Sequence, residues 1–470
     1  MAISHFGRLI DEPRDFAIEE LFFSTTDLKG RIRHANSVFR RIACYSWDEL
    51  RNRPHNIVRH PDMPRVVFQL LWEFIQDGRP IVAYVKNLAH DRRFYWVVAM
   101  ALPIRDGYLS VRFKPTSPLF ETVRNLYSEL RSVEAAIEND SGDRKAAMAA
   151  SRKLLETRLN ALGFSSYDRF MEHALKQEMQ HRDARLRHSG QASPGVDGLT
   201  RSTEGMDAIH ATARTLDRLL DLLKVLFRDL ETYVDINKGV RAKSDNLTDI
   251  AESLRVSALN GAIEADRLGA GAVGLRPVLD WLRTFSGEIT HGGARLSGAL
   301  IDLIQEVDRV VFGLSAAKLQ IEMTALFAHE QAELAHEGTS YDADFGTEGA
   351  IACLHLSSCD TLRRALGNLN GVKAKLKGLS DSQLKLLEAS RFLRPLYLTG
   401  KIEMADGAGP KLERVFSEVS EQLNETVSNL NGLKTLLEDL DANLIRGLGH
   451  GGLVEDTIAE IDAQLGMVAQ

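Results

Sequence analysis

The chain has 470 residues, more than one ordinary core accommodates, so two or three domains are expected. With 44% hydrophobic and 26% charged residues it has the composition of soluble globular protein, and a net charge of −7 without any Lys/Arg block excludes the basic face that a nucleic-acid-binding protein requires. The three cysteines, Cys44, Cys353 and Cys359, exclude a disulfide framework and fit a reducing compartment.

Residues 1–20 read as an amphipathic N-terminal cap, with early acids and no apolar stretch of signal-peptide type. No window holds ~18 consecutive apolar residues, so no membrane span is expected, and the cytoplasm is the expected location. Residues 21–117 predict a small α+β domain. Val82–Val85, Phe94–Ala101 and Tyr108–Phe113 are rich in β-branched and aromatic residues, as strands are, and Asp77-Gly78 and Asp106-Gly107 are turn signals. Trp47, Trp72 and Trp96 all fall here.

After Pro118 the pattern is helical almost to the C-terminus. Residues 118–203 predict a helical linker region that ends in a loop, from about His188 to Thr203, containing Gly190, Pro194, Gly195 and Gly198. Within 204–336, Leu219, Leu223, Leu226, Leu230, Tyr233, Asn237, Val240, Ser244, Leu247, Ala251, Leu254 and Ala258 alternate in steps of four and three. That 3.5-residue period predicts a coiled-coil seam, with Asn237 and Ser244 fixing register at a local cost in packing. A Gly-rich break near 264–277 is followed by a returning seam through Val278, Leu282, Phe285, Ile289, Leu296, Leu303 and Val310, so the two arms predict an antiparallel hairpin.

Residues 337–350 read as a loop, and 351–445 as a second helical hairpin with its tip near 403–410. The second tip is an internal repeat of the first. Leu254-Arg255 … Leu259-Asn260-Gly261-Ala262-Ile263-Glu264 returns as Leu393-Arg394 … Leu398-Thr399-Gly400-Lys401-Ile402-Glu403, each copy followed by Gly-Ala-Gly and a proline, Pro277 or Pro410. Proline suits the first helical turn, where its missing N–H costs nothing.

Cys353 and Cys359 flank His355, a grouping suggestive of metal ligation. With no fourth ligand in sight, the expectation is small apolar residues on a helix and no metal site. No G-x-G-x-x-G after a strand, P-loop, His-Glu-x-x-His, kinase or cyclase signature occurs, and His329-Glu330 with His336 has the wrong spacing for a zinc protease. No catalytic residues, and no enzyme activity, are therefore expected.

Two stretches resemble known families. Ser24-Thr25-Thr26-Asp27-Leu28, Gly30, His34-Ala35-Asn36, the run Pro54-His55-Asn56-Ile57-Val58-Arg59-His60-Pro61-Asp62-Met63-Pro64, Trp72, Lys86-Asn87 and Tyr95-Trp96-Val97 together resemble the PAS domain of bacterial aerotaxis receptors, over residues 24–117. The resemblance implies a PAS sensor that binds FAD and reports redox state or oxygen supply. By position it implies Arg59, His60 and Asp62 at the flavin site, with Asn36 and Trp72 beside them. An Arg can clamp a pyrophosphate, and a flavin ring needs an apolar slot with a few placed polar groups. The chain departs from that family at Gly78-Arg79-Pro80-Ile81, where Ile81 replaces the usual Trp, and at His90-Asp91-Arg92-Arg93, which lacks Asn-Gly. Haem held through His34, His55, His60 or His90, or no ligand at all, are the alternatives.

Leu259-Asn260-Gly261-Ala262-Ile263-Glu264-Ala265-Asp266-Arg267-Leu268-Gly269 resembles the cytoplasmic hairpin tip of methyl-accepting chemotaxis proteins. This implies Val256, Leu259, Asn260, Glu264 and Arg267 as partner-binding residues, with a chemotaxis coupling protein, a histidine kinase or other copies of the chain as partners. The chain departs from that family over Ala270–Leu275 and at Pro277. The expected fold is an α+β PAS domain followed by an all-α antiparallel helical hairpin or coiled-coil bundle. The expected function is a chemoreceptor-like transducer relaying redox state or oxygen to the motility machinery. The alternative is a non-catalytic adaptor or scaffold that kept the receptor architecture, lost kinase coupling and binds another partner.

Overall fold

The computed structural model describes residues 9–188, 204–268, 276–336, 347–391 and 410–468, with Pro395, Leu398 and Ile402. Five strands form one antiparallel sheet: β1 (Phe22–Thr26), β2 (Ile32–Ala35), β3 (Ile81–Leu88), β4 (Phe94–Ile104) and β5 (Gly107–Phe113), in the order β2-β1-β5-β4-β3. Between β2 and β3 lie α1 (Ser37–Ala43), α2 (Trp47–Leu50), a 3-10 turn (His55–Val58) and α3 (Arg65–Gln76). This is the PAS arrangement. The strands predicted at 82–85, 94–101 and 108–113 lie within β3, β4 and β5.

Local chemistry sets these elements. Asn36 caps α1, its Oδ1 accepting from the Phe39 N–H. Ser46 and Glu49 form a capping box on α2. The β1–β2 turn needs Gly30 at φ 75°, and a Cβ there would come 3.1 Å from Trp72. The tight β4–β5 turn needs Gly107, whose Cβ would strike the Thr26 carbonyl.

Helices α4 (Leu119–Ser141), α5 (Arg144–Ala161) and α6 (Tyr167–His188) follow. They cover the sheet face opposite α1–α3. Phe120 stacks with Tyr84 and meets Trp96 edge-on, and the Tyr167 hydroxyl donates to the Val82 carbonyl at 3.0 Å. Two fully buried glutamates fix the helices to the N-terminal α+β domain. The Glu178 carboxyl of α6 accepts from the Tyr84 hydroxyl at 2.8 Å, from both Thr116 N–H and O–H, and from both Ser117 N–H and O–H. Glu134 of α4 accepts from the Arg65 and Val66 N–H groups at 2.7 and 3.1 Å, capping α3 with a carboxyl where the helix dipole favours one.

Four long helices complete the chain: α7 (Glu204–Leu268), α8 (Arg276–His336), α9 (Thr347–Arg391) and α10 (Pro410–Val468). α9 starts before residue 351 and α10 runs beyond 445, the limits read from the sequence. Pro277 and Pro410 both fall in first turns. The predicted loop at 188–203 and most of the two tips lie outside the described residues.

The chain divides into two compact units. The first comprises residues 1–223, 311–365 and 453–470. In it the five-stranded sheet and α1 also meet α8. Phe23 packs edge-on to Phe327 at 4.9 Å, Glu330 accepts from the Ser37 N–H at 3.0 Å, and Arg182 of α6 pairs with Glu322 at 2.6 Å while donating to the Ile18 carbonyl. The second unit comprises residues 224–310 and 366–452. There segments of α7, α8, α9 and α10 enclose one core of Leu254, Ala258, Leu279, Leu282, Phe285, Phe416 and Val419. Gly261 and Gly292 permit close approach, since a Cβ at either would lie 2.6 Å from Leu279 or 2.3 Å from Leu386. All described residues of the α7 seam, and all of the α8 seam, are buried. Among the described residues, α8 carries one stretch long and apolar enough to cross a membrane, unlike the sequence expectation, but most of that stretch is buried within the protein.

Candidate ligand site in the sheet core

Residues directly paired across an antiparallel sheet share a face. The register places Phe22, Arg112, Ala99 and Ala83 in one such row, and Ser24, Ser110, Ala101 and Ile81 in the next. This face looks toward α1 and the 3-10 turn. The Arg112 guanidinium lies 5.2 Å from the centre of the Phe39 ring of α1, and its Nη2 donates to Ser24 Oγ at 3.0 Å and to His55 Nε2 at 2.7 Å. Phe22, Phe39 and His55 are nearly parallel, at centroid spacings of 6.0 and 5.9 Å.

Arg112 is 4% exposed, and its Nη1 has no hydrogen-bond partner. Burial lowers its pKa to about 10, with Tyr95 opposing, and among the described residues no carboxylate is paired with it. Burial, and then the Arg112 charge, push His55 down to about 3, so the ring is neutral and offers Nε2 as an acceptor. The buried Tyr95 hydroxyl also lacks a partner. Its pKa is raised by burial, which keeps it a donor. Ala83, Ala99, Ala101, Ser24 and Ser110 are small, so the sheet face beside these donors is a floor of short side chains. Two unpaired buried donors over such a floor fit a planar, acceptor-bearing group such as a flavin ring.

The residues singled out from the sequence divide among three places. Arg59, His60 and Asp62 gather along the β3 edge, where Arg59 forms an isolated bridge to Asn87. The Arg59 guanidinium sits 4.0 Å from the Phe68 ring centre and donates to the Met63 carbonyl, and burial lowers its pKa to about 10. His60 Nδ1 accepts from the Asp62 N–H at 3.1 Å, its ring edge-on to Phe94. Burial, with Lys86 adding, takes His60 to about 4. Burial opposes ionisation of Asp62, but the Lys86 ammonium at 2.7 Å, with His60 and Arg131, holds the carboxyl below the usual range.

Asn36 stands apart from that edge. Besides capping α1, its Oδ1 accepts from the Phe23 N–H and its Nδ2 donates to the Leu21 carbonyl, so the whole amide is committed to the β1–α1 junction. Trp72 lies on the exposed side of α3, edge-on to Tyr108. Ile81 is buried at the end of the Ser24 row. Of the remaining histidines named for haem, His34 Nδ1 lies 2.6 Å from Thr25 Oγ1 and His90 lies tilted against Tyr45, ring centres 4.8 Å apart. Arg112 and Tyr95 were not singled out. A lone arginine on the buried face of a central strand, Leu109-Ser110-Val111-Arg112-Phe113, was the signal available.

Elsewhere in the sensor unit, a cleft of about 580 Å³ is lined by Phe74, Arg79, Arg152, Phe164 and Tyr167. Its cations are neutralised, Arg152 by Glu73 and Arg79 by Asp168. His355 Nε2 meets Asp462 Oδ1 at 2.8 Å and Cys359 Sγ at 3.4 Å. Asp462 also faces Arg363, and burial pushes the Cys359 thiol up to about 12. On α7, Val256, Leu259 and Asn260 are exposed, as is Arg267, which pairs with Glu264 at 2.7 Å.

Residues 32–111 match a family model described as PAS fold. The aerotaxis receptor of Escherichia coli (strain K12) is 39% identical over 121 residues, 25% of this chain and 24% of the receptor, so the chain spans about a quarter of that curated relative. Among solved structures, the PAS domain of a Colwellia psychrerythraea protein is 21% identical over 20% of this chain and 85% of its own, with a TM-score of 0.18. The light-state structure of the blue-light photoreceptor Aureochrome1 LOV is 23% identical over 22% and 88%, with a TM-score of 0.20. A blue-light activated histidine kinase of Erythrobacter litoralis is 12% identical over 35% and 53%, with a TM-score of 0.21. The N-terminal part is a PAS domain of the aerotaxis-receptor type, followed by a mostly helical region.

Proposed function

We propose that this chain is a cytoplasmic, non-catalytic sensory transducer whose PAS core takes up FAD, reports redox state or oxygen supply, and relays it through α4–α10 to a chemotaxis coupling protein and histidine kinase. The observation that carries the transducer reading is Glu134. This fully buried glutamate of the first helix after the sensor caps α3, the helix that opens directly after the Arg59–Asp62 run. A change at that run has a short, charged route into α4. Glu178 adds a connection from β3 to α6 through Tyr84, and Ser37–Glu330 one from α1 to α8.

When bound, the flavin supplies a ring whose charge and hydrogen bonding change with reduction. The chain's own residues do the rest. Arg112 and Tyr95 offer donors in the core, Arg59 and Lys86 hold positive charge at the β3 edge, and the Phe22–Phe39 pair excludes water. Two packings of the helices exchange populations, and signalling requires that the two ligand states favour different packings.

The visible spectrum of the purified chain tests the sensor. Flavin bands near ~450 nm are expected; a Soret band would replace flavin by haem, and a colourless protein releasing no small molecule would end the cofactor reading. Co-purification with coupling protein and kinase tests the output. No binding, together with normal swimming of a deletion strain, would leave the second reading, an adaptor for another partner. That reading is favoured by Pro277 and the altered residues Ala270–Leu275.

A further inference from the structure

We propose that His355, Cys359 and Asp462 form a binding site for a divalent ion of the zinc class, which clamps the start of α9 to the end of α10. The inference goes beyond the sensory reading and does not depend on any ligand in the sheet core.

Helical pitch and packing assemble the site. His355 and Cys359 are four positions apart on α9, so they stand one turn apart on one face. Both are buried, at 1% exposure. Asp462 comes from α10, 107 positions from His355. Its Oδ1 lies 2.8 Å from His355 Nε2, and Cys359 Sγ lies 3.4 Å from the same nitrogen. One ligand atom from each residue falls within 4.8 Å of the others. In a tetrahedral zinc site with bonds of about 2.0–2.3 Å, nitrogen and sulfur stand about 3.5 Å apart, and nitrogen and oxygen about 3.3 Å. The sulfur is already at that separation. The carboxylate is closer because it is hydrogen-bonded to the ring, and an ion taking the place of the shared proton moves it out by about 0.5 Å. The sulfur also lies 3.7 Å from Nδ1, so the imidazole turns slightly for Nε2 to face both partners.

The donor set selects the ion. A thiolate, an imidazole and a carboxylate together suit zinc, and their negative charge is cancelled by a divalent cation. Burial holds His355 below its usual pKa, toward the neutral ring that a ligand must be, and keeps the Cys359 thiol protonated while no ion is bound. The ion displaces the thiol proton to solvent. Arg363 Nη2, 3.4 Å from Asp462 Oδ2, holds the second carboxylate oxygen and leaves Oδ1 toward His355. The Asp462 side chain is 41% exposed, so water completes the fourth position. All three residues belong to the unit that holds the α+β domain, where the ion adds a cross-link between two helices.

The test uses the full-length chain without an affinity tag, treated with chelator and titrated with cobalt(II) and then zinc(II). Difference spectra remove the contribution of any core chromophore. About one cobalt per chain should bind with a thiolate-to-cobalt charge-transfer band, zinc should displace it, and zinc should raise the melting temperature. Cys359→Ser should abolish the band and weaken zinc binding ~100-fold, Asp462→Asn should weaken it ~10-fold, and Cys353→Ser should match wild type. A wild type without the band, a band that survives in Cys359→Ser, or undiminished zinc affinity in Asp462→Asn would overturn the site. Should Cys359→Ser fail to fold, Asp462→Asn decides, because that side chain is part exposed and keeps its size. A colourless chain that shows the band keeps the clamp and loses the flavin reading; a flavin-bearing chain without the band does the reverse.

Discussion

The two faces of the sensor sheet treat buried charge in opposite ways. On the face toward α4 and α6, Glu178 is surrounded by donors from Tyr84, Thr116 and Ser117. On the face toward α1, Arg112 keeps one nitrogen without a partner and Tyr95 a free hydroxyl. Both charges are buried, so the difference is not one of exposure. A fully satisfied network makes a rigid joint, whereas unsatisfied buried donors call for a partner such as water or a ligand. The first face is tied to the helices, and the second holds the donors that lack partners.

The largest expected effect comes from breaking the satisfied side. Glu178→Ala should destabilise the sensor unit by about 3–5 kcal/mol, because it strands several buried donors at once. Urea unfolding followed by Trp fluorescence measures this, and a loss under 1 kcal/mol would mean the network is not the joint described. Arg112→Met, by contrast, should cost less, about 1–2 kcal/mol, because it strands only the Ser24 hydroxyl and His55 Nε2 while removing a buried charge, which makes the pair of variants a direct contrast between the faces.

Acid should act next. Folding depresses His60 to about 4 and His55 to about 3, so both bind protons less readily folded than unfolded. Their stability contribution is complete above the unfolded pKa of ~6.5 and declines as pH falls below it, at up to about 1.4 kcal/mol per pH unit for each histidine. Unfolding free energies measured between pH 7 and 4 should fall with acid, and the slope should lessen in His60→Gln.

The second unit gives a packing test independent of charge. Gly292→Val places a branched side chain where Leu386 already sits, and should cost about 1–3 kcal/mol. A multi-phase melting curve would report whether the loss stays local. The smallest effect belongs to the coupling element. Glu134→Ala should cost about 1–2 kcal/mol and raise amide exchange at Arg65 and Val66 while leaving the far end of α3 protected. Unchanged exchange there would remove Glu134 from the relay.

The sequence was sufficient for the elements themselves. Alternating β-branched and aromatic residues between Asp-Gly turns located β3, β4 and β5. The four-and-three spacing from Leu219 to Ala258 marked the side of α7 whose described residues are buried, and the repeat around Leu259 and Leu398 points to tips that lie mostly outside the described residues. These features are local, because strand pleat and helical pitch impose periods on neighbouring residues that any reader of the chain can count. The Arg59–His60–Asp62 run was equally legible, since its three residues are adjacent.

What tertiary structure alone decided is where distant side chains meet. Asn36 became the cap joining α1 to β1, and Trp72 came to the outer side of α3. Glu134 found the start of α3 from 68 or more positions away, and Glu178 found Thr116 and Ser117. His355 found Asp462 across 107 positions. Arg112 looked like any strand arginine until register set it beside alanines rather than acids. The physical reason is that burial and charge compensation belong to pairs and rows of residues, fixed by strand register and helix packing. No local pattern in the chain records which charges will be left unpaired.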